Sequence, residues 1–303
     1  MKRRNLVLTA LVGWVLWRLF GKESSPAASG PQERPSGPTG RTVLAGRHEF
    51  FVRESGPADG PVLVLLHGWL YDSHATWHRI RSGLDTSHRV VAIDLRNHGR
   101  SDRIRSRFEV ADVADDVARV FDVLGLDAVP VVGYSLGGMV AQELVLRHPG
   151  RVTRLVLGAT AAHPSFVPRS VGVPLLVAGR ALGRIDRTLL PRLAHRYMML
   201  AGVIPPEHSA WLWQSLMERD PDLYYEAGFA ILRFDARDRV SRIRIPTLCV
   251  IPTEDQLVLP ARQYATAAAI ADAQVYEVVG GRHEAVLTHH EEIAKAIAGF
   301  VSG

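Results

Sequence analysis

The stretch Val131–Glu143, VVGYSLGGMVAQE, decides how this chain is read. A valine run that belongs in a strand passes within a few residues into a pattern that belongs in a helix. Ser135 stands at the change, with Gly133 and Gly137 two residues to either side. Glycines at those positions allow a strained turn that packs helix close to strand and leaves a serine Oγ exposed above a sheet. By itself the pattern reads equally as a nucleophile or as a Gly-rich turn with an incidental serine. The rest of the chain has to discriminate.

Working outward, TVLAGRHEFFVRES has hairpin character. VLVLL (to Leu66), RVVAID (to Asp94), VPVVG (to Gly133), TRLVLGA, TLCVIP and QVYEVV are short Val/Leu/Ile runs without clean alternation. Such runs are expected of strands buried on both faces. Helical patterns lie between them: Ser73–Leu84, Val110–Leu124, Leu136–Arg147, and later about 260–270 and 289–301. The second carries apolar residues at 110, 113, 117, 120, 121 and 124. Alternating strands and helices predict an α/β fold with a mostly parallel central sheet and helices on both faces, whose working loops follow the C-terminal strand ends.

Residues 163–245 break the alternation. They hold helix formers interrupted by prolines and no strand-like run, so they read as a helical insertion between two strands. It contains 12 arginines against 8 acidic residues, most of the basic excess of the chain. Arg180, Arg184 and Arg187 share a helix face opposite Leu182, Ile185 and Leu189. That face is expected to be the solvated outer one, with a membrane-facing lid as the alternative.

The strand-end loops supply what a nucleophilic serine needs, a base to take its proton and an acid to orient the base. Asp255 follows TLCVIP in TEDQLVLP, and His283 follows QVYEVV in GGRHEAV. Glu254 is the alternative acid. His289 and His290 read as cap residues of the last helix, His148 as a cation at a helix C-terminus, and His163 as a residue at the entrance to the insertion. For a tetrahedral intermediate, the backbone N–H of Leu136 and that of Trp69, in His67-Gly68-Trp69-Leu70, are the expected oxyanion donors. His67 reads as a side chain that stabilises its turn.

Taken together HGW, DLRNHGRSD, GYSLGG, TEDQLVLP and GGRH resemble the α/β-hydrolase superfamily over nearly all of residues 42–302. The resemblance implies a Ser135–His283–Asp255 triad, an oxyanion hole at Trp69 and Leu136, and a cap at 163–245 inserted into a core of 42–162 and 246–303. It also implies that no cofactor or metal is needed. Asn97 stands where the family often has Gly, Arg282 replaces a small residue, and Thr253 stands at a frequent Gly position. A serine at the elbow disfavours the dehalogenase and epoxide-hydrolase chemistries, which place Asp there. The expected activity is hydrolysis of a carboxylic ester, with a lipophilic substrate implied by the cap and by the N-terminus. Carbon–carbon hydrolysis, amide or peptide cleavage, cofactor-free perhydrolysis and a non-catalytic binding role are the alternatives.

The N-terminus has its own pattern. MKRR precedes NLVLTALVGWVLWRLFG, in which Leu6–Trp17 carries no charge. Basic residues ahead of an apolar run send the following chain across a membrane. Residues 1–22 are therefore expected to be a retained anchor or a cleaved signal segment, followed by a Pro/Gly/Ser-rich linker at 23–41, with the catalytic part outside the cytoplasm. Asn5–Phe20 would span only about 24 Å as a helix. Basic residues exceed acidic ones, 36 to 31, but they are scattered arginines, which disfavours nucleic acid as a partner. Cys249, the one cysteine, reads as filler in a strand.

Overall fold

The computed structural model describes residues 37–69, 71–164, 167–200 and 209–303. The expected anchor at 1–22 and most of the 23–41 linker lie outside them. Eight strands form one sheet: β1 (Gly40–Ala45), β2 (His48–Ser55), β3 (Val62–Leu66), β4 (Arg89–Ile93), β5 (Val129–Tyr134), β6 (Val152–Gly158), β7 (Thr247–Pro252) and β8 (Gln274–Val278). Their order is β1-β2-β4-β3-β5-β6-β7-β8. The β1–β2 hairpin turns at Gly46, and β2 runs antiparallel to β4. All later pairs are parallel, with Val64 opposite Val131 and Leu157 opposite Cys249.

Lack of alternation in the strand sequences follows from cover on both faces. In β3, Val64 and Leu66 belong to one apolar cluster and Leu63 and Leu65 to the other. The first cluster is closed by α3 (Val110–Leu124), α4 (Leu136–Arg147) and α9 (Pro260–Ala269). The second is closed by α1 (Ser73–Trp77), α2 (Arg81–Leu84), α10 (Ala285–Thr288) and α11 (His290–Ser302). Each fully buried Val or Leu contributes roughly 1.5–3 kcal/mol, so a strand apolar on both sides has one stable place, inside. The edge strand β8 departs from this expectation: Gln274, Val275 and Glu277 are exposed, and among the described residues no further strand covers that edge. The expected single helix at 73–84 is two short ones, broken at residues 78–80, and the second lays Gly83 against Ala294 of α11.

Between β6 and β7 the chain leaves the sheet. The described residues there form α5 (Arg169–Ile185), α6 (Leu189–Leu200), α7 (Ser209–Met217) and α8 (Pro221–Arg233) and include no strand. The arginine face of α5 is solvated only in part, since Arg184 is 60 % exposed while Arg180 is half-buried. Arg180 and Arg184 turn toward α8 and pair with Asp222 and Glu226, while the opposite apolar face looks outward.

Candidate active site

β5 and β3 are neighbours although β4 lies between them in sequence, so the strand order reverses at this point. The loops after β3 and β5 face each other across the crevice where open α/β sheets place their ligands. Ser135 is the residue between β5 and α4, with φ 53° and ψ −115°. This left-handed conformation is costly for a residue with a Cβ. It is held by the Ser135 N–H donating to Gly158 O (2.9 Å) and by its carbonyl accepting from Gly138 N, Met139 N and Thr160 Oγ1 (3.0, 3.2 and 2.9 Å). The flanking glycines have steric reasons. A Cβ on Gly133 would lie 2.7 Å from Gly138 Cα, and one on Gly137 would overlap the Leu66 carbonyl.

His283 and Asp255 come to this serine from the loops after β8 and β7. His283 Nε2 lies 3.0 Å from Ser135 Oγ, and His283 Nδ1 lies 2.9 and 3.1 Å from the two Asp255 oxygens. Asp255, 2 % exposed, is fixed on every side. Oδ1 accepts from Leu257 N and Val258 N (2.8 and 2.9 Å), and Oδ2 accepts from Gln263 Nε2 of α9 (3.0 Å). A carboxylate so surrounded fixes Nδ1 as the protonated ring nitrogen and leaves Nε2 to accept the serine proton. Glu254 takes no part; it is exposed and lies 3.9 Å from Arg282.

The loop after β3 reaches the same place. A Cβ on Gly68 would sit 3.4 Å from Ser135 Cβ. Among the described residues, neither the Trp69 nor the Leu136 backbone N–H has a protein acceptor. His67 Nδ1–H donates to Gly68 O (2.7 Å) and Nε2 accepts from Leu95 N (3.0 Å), so the ring braces its turn. Burial pushes its pKa below the usual histidine value. Trp69 leans on α8: its indole N–H donates to Tyr224 O (2.9 Å) and its ring stacks on Tyr224 with centroids 4.4 Å apart. The Trp69 carbonyl accepts from Arg219 Nη1 at 2.6 Å.

The departures noted in the sequence are accommodated. Asn97 has φ 65°, which Asn tolerates, and its Oδ1 accepts from Ile104 N at 2.6 Å. Thr253 Oγ1 accepts from Gly280 N (2.9 Å) across the mouth of the His283 loop. Arg282 is exposed. The other histidines lie elsewhere: His148 on Asp115 of α3 (2.7 Å), His163 by Phe234 O (3.2 Å), and His289 by Thr288 (2.9 Å). Three supporting residues were missed by the sequence reading. Gln263 braces Asp255; Thr160 braces the elbow; Tyr134 donates its hydroxyl to His283 O at 2.7 Å. The single signal available was a glutamine on the inner side of an amphipathic helix.

A family model described as the alpha/beta hydrolase fold matches residues 61–290. The chain is an α/β hydrolase. Among its relatives, a non-heme chloroperoxidase of Streptomyces lividans is 30% identical over 83% of this chain and 95% of its own length. A pimeloyl-[acyl-carrier protein] methyl ester esterase of Chromobacterium violaceum is 30% identical over 82% of this chain and 96% of its own. The solved enol-lactonase of Burkholderia xenovorans LB400 superposes on this hydrolase with a TM-score of 0.76 at 26% identity, covering 87% of this chain and all of that one.

Proposed function

We propose that this hydrolase cleaves a carboxylic ester through an acyl-enzyme on Ser135. The reading rests on one observation, the unbroken line of hydrogen bonds from Ser135 Oγ through His283 to a fully braced Asp255. In the first half-reaction His283 Nε2 takes the Ser135 proton as Oγ bonds to the ester carbonyl. The oxyanion takes the N–H groups of Trp69 and Leu136, and collapse breaks the C–O bond while His283 returns the proton to the departing alcohol. Water, deprotonated by the same nitrogen, then releases the acid. Two relatives carry ester or lactone chemistry in their names, which supports an ester over an amide or a carbon–carbon bond. Residues 163–245 act in this reading as a cap over the elbow, and residues 1–22 with the linker 23–41 tether the catalytic part outside the cytoplasm, where a lipophilic ester is the natural substrate class.

A fluorophosphonate probe followed by a p-nitrophenyl ester series of rising acyl length tests the reading. Wild type is labelled and turns esters over, and Ser135→Ala does neither. Labelling of Ser135→Ala, or a wild type that labels without cleaving any ester, overturns it. The likeness to a bifunctional esterase/perhydrolase of Acinetobacter calcoaceticus favours perhydrolysis as a second reading. Peracid formed from a short carboxylic acid and hydrogen peroxide, faster than ester hydrolysis, would put that activity first.

A further inference from the structure

α5 packs on its neighbour through glycines and leaves an apolar face exposed. Its inner side is Gly172, Gly179 and Gly183, which let it lie on Leu232 and Tyr225 of α8. Its arginines at 180 and 184 are tied to Asp222 and Glu226 of that same helix. The outer side carries Val171, Leu175, Leu182 and Ile185, 49, 63, 50 and 84 % exposed. These positions fall at i, i+4, i+11 and i+14, one stripe of a 3.6-residue helix. A contiguous apolar face of this kind on a soluble surface marks something that covers it.

We propose that the outward face of α5 lies on a lipid bilayer, which seats the inserted helices at the membrane surface. The pattern is that of an interfacial helix, with apolar side chains on one face and the exposed Arg169 and Arg187 at its two ends. The inserted residues 163–245 carry 12 arginines against 8 acidic residues, an excess suited to anionic headgroups. The position of the chain entry points the same way. The described residues begin at Gly37, which packs against the ring of His74 in α1, and His74 in turn meets Trp211 of α7 with ring centroids 5.3 Å apart. The sequence before Gly37, with its uncharged run Leu6–Trp17, therefore joins the molecule beside the inserted helices rather than at the far end of the sheet. The inference holds whichever ester is cleaved.

The full chain is labelled with bimane at Leu182→Cys and, separately, at Val123→Cys, the latter at the C-terminus of α3 on the opposite end of the sheet. Native Cys249 is buried, and burial pushes its thiol up to about 12, so it does not compete for the label. The labelled proteins are incorporated into phosphatidylcholine/phosphatidylglycerol vesicles with and without brominated acyl chains. Anchoring alone brings both labels near the vesicle, whereas docking puts only position 182 among acyl chains. The expected result is a blue shift and several-fold quenching at 182, little at 123, and loss of the quenching in Leu175→Asp/Ile185→Asp. Turnover of a soluble short ester stays at the wild-type level in that variant, which shows that it folds. Equal signals at the two positions overturn the proposal. A vesicle-free blue shift at 182 also overturns it: one that rises with protein concentration assigns the face to a second copy, and one independent of concentration assigns it to the N-terminal segment of the same chain.

Discussion

Replacing Asp255 by Asn changes one atom and tests the logic of the whole site. Three donors besides His283 converge on this carboxylate: Leu257 N and Val258 N on Oδ1, and Gln263 Nε2 on Oδ2. In the variant the two backbone donors hold the remaining oxygen at the Oδ1 position. The new NH2 group then stands where Oδ2 was, against Gln263 Nε2 and 2.9 Å from His283 Nδ1. Two donors cannot share that contact, so the imidazole is driven to the other tautomer, with Nδ1 accepting from the amide and Nε2 protonated. A protonated Nε2 cannot accept from Ser135 Oγ 3.0 Å away. The asparagine variant of a comparable serine triad loses about 10⁴ in kcat, equivalent to about 5.5 kcal/mol of barrier, and a loss of that order is expected here. Gln263 keeps its bond to Val258 O (2.7 Å), so the cost in stability is only about 1–3 kcal/mol. The assay is kcat/KM on a short p-nitrophenyl ester beside a urea melt. An Asp255→Asn enzyme folded and within about tenfold of wild type would refute the tautomer argument.

Gly137→Ala is expected to abolish stable folding, because its Cβ overlaps the Leu66 backbone, whereas Gly125→Ala, at φ 65° with nothing within 4 Å, costs about 1 kcal/mol; denaturant midpoints compare them. Trp69→Phe keeps the ring on Tyr224 but removes its N–H bond to the Tyr224 carbonyl, about 0.5–1.5 kcal/mol. Ester kcat/KM and the rate of fluorophosphonate labelling should fall together by about threefold to tenfold, and an unchanged labelling rate would separate Trp69 from the oxyanion loop. His67 and His98 are both held below their ordinary 6.5 by burial. As pH falls through that value the unfolded chain binds protons that the folded one refuses, so stability declines by up to about 1.4 kcal/mol per unit for each histidine. Urea midpoints at about pH 7.5 and about pH 5.5 measure this, and a midpoint that holds or rises on acidification contradicts it.

Much of the molecule is legible in the linear chain because the sheet interior is uniform. Strands covered on both faces read as unbroken Val/Leu/Ile runs, and the helices at 110–124 and 136–147 have the predicted bounds. The elbow was legible because two glycines obey a steric rule that acts within a few residues. Asp255 and His283 were legible because each follows a strand immediately, so the sheet fixes their positions. What the sequence could not decide is what depends on neighbours remote along the chain. Gln263, Thr160 and Tyr134 brace the site through contacts made only once β5, β6, β7 and α9 are side by side. The outward turn of α5 is the sharpest case. Periodicity fixes that Arg180 and Arg184 oppose Leu182 and Ile185, but it says nothing of which side faces in. That was decided by α8, some forty residues on: Gly172, Gly179 and Gly183 lie on it, Asp222 and Glu226 pair with Arg180 and Arg184 at one flank, and Leu182 and Ile185 are left outside.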